Sequence, residues 1–167
     1  MTVVFVNRQR TEQINSRLLK QMVKALLADL KIRKAELEIN LVTTPAMTRL
    51  NEQFLHHKGP TDVIAFDYMK DVGQASCLSH RKTPDNGDRQ DACPTVHGEI
   101  FICVEEAVSQ ARKFRVSWQS EVARYVIHGI LHLLGHDDLR AGARRKMKRE
   151  ENCLMRKLSR RFALSKL

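Results

Sequence analysis

Apolar and polar positions along the chain change period several times, and each change marks an element. "VVFVN", near the start, reads as a first strand. From Ile14 to Leu30 apolar residues fall at 14, 18, 19, 22, 23, 26, 27 and 30, which is helical spacing with one apolar face. "ELEINLV" alternates at Leu37, Ile39 and Leu41, as a half-buried strand does. Thr44 followed by Pro45 predicts a helix start, with Thr44 as the cap, and the short helix is expected to bury Met47, Leu50 and Phe54. "TDVIAFDY" predicts a third strand and "GEIFICV" a fourth, whose continuous apolar run suggests burial on both faces. Glu105 and Glu106 favour a helix start running to about Phe114. Ser117 is the expected cap of a helix from Trp118 to about Leu134, and a last helix covers roughly 140–160.

These elements predict an α+β fold in a single domain spanning 1–167, with about four strands in a mixed sheet and about five helices. Residues 70–97 are polar and rich in Gly, Pro, Asp and Asn, too long for an ordinary connection, and read as a surface insertion.

Composition changes the picture at one place. Hydrophobic content of 43% and charged content of 29% fit a globular domain, and no apolar run reaches membrane-spanning length. The N-terminal "MTVVFVNRQR" lacks the features of a signal peptide, so a cytoplasmic location is expected. Of the net charge of +10, residues 139–167 carry +9, from 11 basic and 2 acidic residues. Such segregation points to a polyanionic partner, with Arg144, Arg145, Lys148 and Arg149 as candidate phosphate contacts. Neither a membrane partner nor a nucleotide cofactor is expected.

Candidate chemistry lies in "VIHGILHLLGHDD", residues 126–138. His128 and His132 are four apart, one turn above each other on a single helix face. The helix is otherwise apolar except for a stripe that also holds Glu121, Arg124 and Tyr125. Two neutral imidazoles in that setting need partners, and a shared divalent cation, one Zn2+ per chain, satisfies both. Gly135 can take the positive φ that ends the helix, letting Asp138, ten residues after His128, approach as a third ligand. His136 is the alternative third ligand by chemistry. Three protein ligands with a fourth position open to water mark a catalytic site. Zinc peptidases of this pattern carry a glutamate after the first histidine as general base; here Gly129 stands there, which disfavours a peptidase.

The chain resembles the YbeY family of metal-dependent endoribonucleases. "HGILHLLGHDD" resembles the family's histidine signature, "LNEQFLHHKGPTDVIAFDY" its Leu-Asn to Pro-Thr-Asp-Val signature, and "GEIFICVEEAVSQA" its Gly-Asp-Ile strand before a helix. The resemblance implies a single-strand-directed endoribonuclease of late ribosomal RNA processing, with a ribosomal RNA or pre-ribosomal partner. It makes His128 and His132 zinc ligands and puts Asp138 where the family usually has a third histidine. Where the family usually has an arginine thought to face the substrate phosphate, this chain has Leu55; His57 or Lys58 in the same loop are candidate replacements. The rival expectation is a ribosome-associated RNA-binding maturation factor whose metal is structural.

A second metal site is conceivable in the insertion from Cys77-x2-His80 and Cys93-x3-His97, with free thiols as the default.

Overall fold

The alternating segment at Leu37, Ile39 and Leu41 becomes the inner strand that organises the molecule. In the computed structural model, which describes residues 1–69 and 95–167, β2 (Lys34–Val42) lies between β1 (Thr2–Asn7) and β4 (Thr95–Cys103), parallel to both. β3 (Val63–Asp67) pairs antiparallel with β4 at the other edge, giving the order β1-β2-β4-β3. Among the described residues five α-helices accompany the sheet: α1 (Ser16–Asp29), α2 (Thr44–Leu50), α3 (Val104–Phe114), α4 (Trp118–Leu133) and α5 (Ala141–Arg161). The fold is α+β with a mixed four-stranded sheet. Among the described residues no helix is long and apolar enough to cross a membrane.

Strand parity divides the core. Leu37, Ile39, Leu41, Ile100 and Ile102 point into the main cluster with the apolar faces of α1, α4 and α5. Val42 and Cys103, of opposite parity, meet Met47 of α2 and Ile64 in a smaller cluster on the other face. β4 is thus buried on both faces only toward its end, where α2 covers it; Glu99 and Phe101 stay partly exposed.

The local signals act as the residue chemistry dictates, with three corrections. Asn15 caps α1, its side chain accepting from the Leu18 amide at 3.0 Å, and Ser117 caps α4 through the Ser120 amide. The cap of α2 is Thr43, one residue before the expected Thr44, and lacks a side-chain cap hydrogen bond; the freed Thr44 amide donates to the Glu105 carboxylate instead. Phe54, expected inside, is 39% exposed. Residues Asn51–Leu55 form a π-turn, whose wider winding carries the ring off the buried face, leaving it edge-on to Phe66 at 5.2 Å. Thr95, Val96 and His97, read as the insertion's end, belong to β4, in register with Lys34, Ala35 and Glu36.

α4 holds the site against this frame. It packs on β3 and β4 and between α3 and α5. It crosses the sheet at Gly129, where a Cβ would stand 2.7 Å from Cγ2 of Ile100. Any side chain there, including a peptidase's glutamate, collides with a fully buried isoleucine.

Candidate metal centre

α4 is buried on nearly every side: Val122, Ile127, Ile130 and Leu131 are fully enclosed. His128 and His132 fall on the stripe that looks away from the sheet, with Nε2 atoms 3.0 Å apart and ring planes at 80°. Gly135, at φ 84°, ends the helix and turns the chain back, and the His136 amide donates to the Leu131 carbonyl at 3.0 Å. The turn brings a carboxylate oxygen of Asp138 to 3.8 Å from His128 Nε2. His128, His132 and Asp138 each offer a ligand atom within 4.8 Å of the others, and they form the one such group of three among the described residues. The His136 ring is not in that group; its backbone carbonyl, 3.1 Å from His132 Nδ1, is the part that serves the site.

Each imidazole is oriented from behind. A carbonyl oxygen only accepts, so His132 Nδ1 carries the proton it donates to His136. His128 Nδ1 lies 3.3 Å from a carboxylate oxygen of Glu151, on α5. Glu151 is buried, which pushes its carboxyl pKa up, but hydrogen bonds from His128, Lys148 and Arg124 outweigh this and hold it at about 2. Because Glu151 is ionised, His128 Nδ1 is a donor too. With both Nδ1 atoms donating, a neutral ring at each position turns its Nε2 lone pair toward the other across 3.0 Å, an arrangement that calls for a positive charge between or beside them. Burial, with the neighbouring His128, lowers the His132 pKa and keeps that ring neutral and able to ligate. Nitrogen, nitrogen and carboxylate oxygen, with carboxylate and carbonyl partners behind the imidazoles, is the donor set that zinc takes. The residues fit the metal.

A cavity of about 500 Å3 opens beside His128 and Asp138. Arg124, Arg144 and Lys148 line it as cations. Arg124 bonds Glu151 at 2.5 Å and Lys148 bonds the same oxygen at 2.9 Å, so much of their charge is matched there. Arg144 donates instead to the backbone carbonyls of Asp138 and Leu139, at 2.8 and 3.2 Å. Those partners are neutral, and the guanidinium keeps its charge while bracing the loop that carries Asp138.

The remaining candidates stand elsewhere. His57 and Lys58 are exposed on the loop after the π-turn and do not line the cavity. Leu55 is partly buried against the smaller apolar cluster. Arg145 and Arg149 are exposed on α5. Cys77, His80 and Cys93 lie outside the described residues; His97, the fourth member of that set, rests its ring on Tyr68 at 5.5 Å, with Nε2 3.7 Å from Glu36.

Sequence reasoning missed Glu151, counting it only as one of two acids in a basic helix. The signal was there: Met147, Glu151, Leu154, Met155 and Leu158 form the buried stripe of α5, so Glu151 is an acid in line with an apolar face. Tyr125 was placed on the polar stripe of α4 but given no part; it is buried, and its hydroxyl has no hydrogen-bond partner among the described residues.

A family model described as endoribonuclease YbeY matches residues 2–159. The chain belongs to the YbeY family. A relative from Acidothermus cellulolyticus named endoribonuclease YbeY is 35% identical over 148 residues, covering 88% of this chain and 85% of that protein. Another of the same name, from Geobacter metallireducens, is 28% identical, with 85% of this chain and 84% of that protein covered. The YbeY-family chain also shares its fold with the solution structure of TM1509 from Thermotoga maritima, with a TM-score of 0.57 at 23% identity, covering 94% of this chain and 89% of that one.

Proposed function

We propose that this chain is a zinc-dependent endoribonuclease that cuts single-stranded stretches of ribosomal RNA during maturation, with His128, His132 and Asp138 as its metal ligands. One observation carries the reading: two imidazoles oriented from behind, with facing Nε2 atoms 3.0 Å apart and an aspartate oxygen 3.8 Å from one of them. RNA as substrate is supported by the family name and by the basic α5. Zinc, when bound there, supplies a Lewis acid and hydroxide at near-neutral pH.

The chain's own residues do the rest. Glu151 and the His136 carbonyl hold the Nδ1 protons of His128 and His132, so that both Nε2 atoms stay free to ligate. Arg144 faces the cavity with its charge unmatched and is the group we assign to the scissile phosphate, where it stabilises negative charge gained in the transition state. Lys148 and Arg124 add positive field from the same wall. Arg145 and Arg149, exposed on α5, contact flanking phosphates and give salt-sensitive, sequence-blind affinity. To His57 and Lys58, exposed outside the cavity lining, we assign contacts with RNA beyond the cut site.

The test is cleavage of a structured RNA by chelator-treated protein with and without added zinc. Activity restored by zinc and absent in His128→Ala supports the proposal. A second reading, an RNA-binding maturation factor with a structural metal, is favoured by Leu55, which packs against an apolar cluster and offers no charge to a phosphate. RNA binding that persists in zinc-loaded protein with no cleavage selects it.

A further inference from the structure

The cavity beside His128 is larger than a metal ion and a phosphate fill, and its far wall has the wrong charge for a phosphate. α4 presents Glu121 and Tyr125 before it presents His128, and seven residues of helix put Glu121 about 10 Å along the axis from His128. Around that end stand Asp62, from the loop before β3, and Gln110 and Phe114 of α3. Glu121 is buried, with its carboxylate 3.8 Å from Arg124 Nε. The Gln110 amide nitrogen is committed to Glu106 at 2.6 Å, which leaves its carbonyl oxygen. The Tyr125 hydroxyl, on a side chain 5% exposed, has no partner among the described residues. A buried hydroxyl without a partner costs free energy and is uncommon.

The wall is thus a set of hydrogen-bond acceptors with one spare hydroxyl, and Phe114, 62% exposed, offers a flat apolar face at its rim. Asp62 and Glu121 do not join a third ligand in a metal-sized group among the described residues. A phosphate would be repelled here. The matching ligand carries a phosphate at the cationic, His128 end and a planar group with hydrogen-bond donors at the other, which describes a nucleotide.

We propose that this part of the cavity is a base subsite for guanine in the nucleotide next to the scissile phosphate. The proposal rests on the endoribonuclease reading and adds a specificity to it. Guanine alone among the four RNA bases sets an N–H and an amino group side by side, as the two oxygens of one carboxylate require. Adenine and cytosine place their amino group beside an acceptor, and uracil sets one N–H between two carbonyls, which Glu121 and Asp62 would repel. Stacking on Phe114 suits an unpaired base, as in single-stranded RNA.

The experiment has two arms, both with zinc-loaded protein. In the first, short single-stranded RNAs differ only in whether G, A, C, U or inosine flanks one position; inosine lacks the amino group of guanine. In the second, binding of GMP and IMP is followed by NMR titration. Cleavage beside G favoured about tenfold in kcat/KM over inosine, with GMP bound about tenfold tighter than IMP, is the expected result. Phe114→Ala, at an exposed position where folding is not at issue, is expected to weaken GMP about fivefold. Equal binding of GMP and IMP overturns the subsite whatever the RNAs do. Tighter GMP binding with uniform cutting removes it from the reaction. Tighter GMP binding with no RNA cut leaves the subsite standing and removes the nuclease reading.

Discussion

Glu151 stands behind His128, its carboxylate 3.3 Å from the ring's Nδ1, and the two residues come from different helices. A carboxylate in this position fixes the tautomer and raises the basicity of the ligating nitrogen. Glu151→Gln is expected to weaken zinc binding by about 10- to 100-fold, read by competition with a chromophoric chelator. Unchanged affinity would show that the contact is structural only.

The same carboxylate sets an acid limit. Its folded pKa of about 2 lies below the unfolded value of about 4.3, so the ionised form contributes stability that is fully present above that unfolded value and is lost as pH falls toward 2. Metal-free protein is expected to show a falling denaturant midpoint over that window, and Glu151→Gln a flatter profile. An equally steep fall in the variant would assign the acid sensitivity to other groups.

Asp138 and His136 separate by position. Asp138→Ala removes a member of the three-residue group, whereas His136 contributes a backbone carbonyl that alanine keeps. Zinc stoichiometry or affinity is expected to collapse in Asp138→Ala and to hold within a few fold in His136→Ala. The reverse order would exchange their roles.

Gly129 is a packing requirement. Gly129→Ala brings a methyl 2.7 Å from Ile100 Cγ2 and is expected to cost about 1–3 kcal/mol, seen as a lowered Tm. A Tm equal to the parent's would mean that α4 slides without penalty.

The outer face of α5 is expected to act through salt. The double change Arg145→Ala, Arg149→Ala should weaken RNA binding uniformly across sequences and lower the slope of log K against log salt by between one and two. An unaltered slope would take these two residues off the RNA path.

Much of this arrangement is legible in the amino-acid sequence. The i, i+4 histidines, the glycine stop and the acid beyond it are local in sequence, and local spacing maps directly onto a helix face and its turn. The strands were legible for the same reason, since alternation at Leu37, Ile39 and Leu41 has one structural meaning. What escaped depends on a second element or a change of period. Glu151 joins the site only because α5 packs on α4, and its charge hid it among cations. Phe54 was assigned by a 3.6-residue period that the π-turn over Asn51–Leu55 does not keep. The start of β4 was obscured by Thr95 and His97, polar residues on its exposed side that make a paired strand look like loop.

That α5 supplies the support for a histidine more than 20 positions earlier also sets a timetable. Synthesis delivers His128, His132 and Asp138 before Glu151, so a growing chain holds the His128 ring unsteadied until the helix behind it has emerged and docked. Competence to cut would then arrive late, after α5 has been translated, and an unfinished molecule would be harmless to the RNA around it.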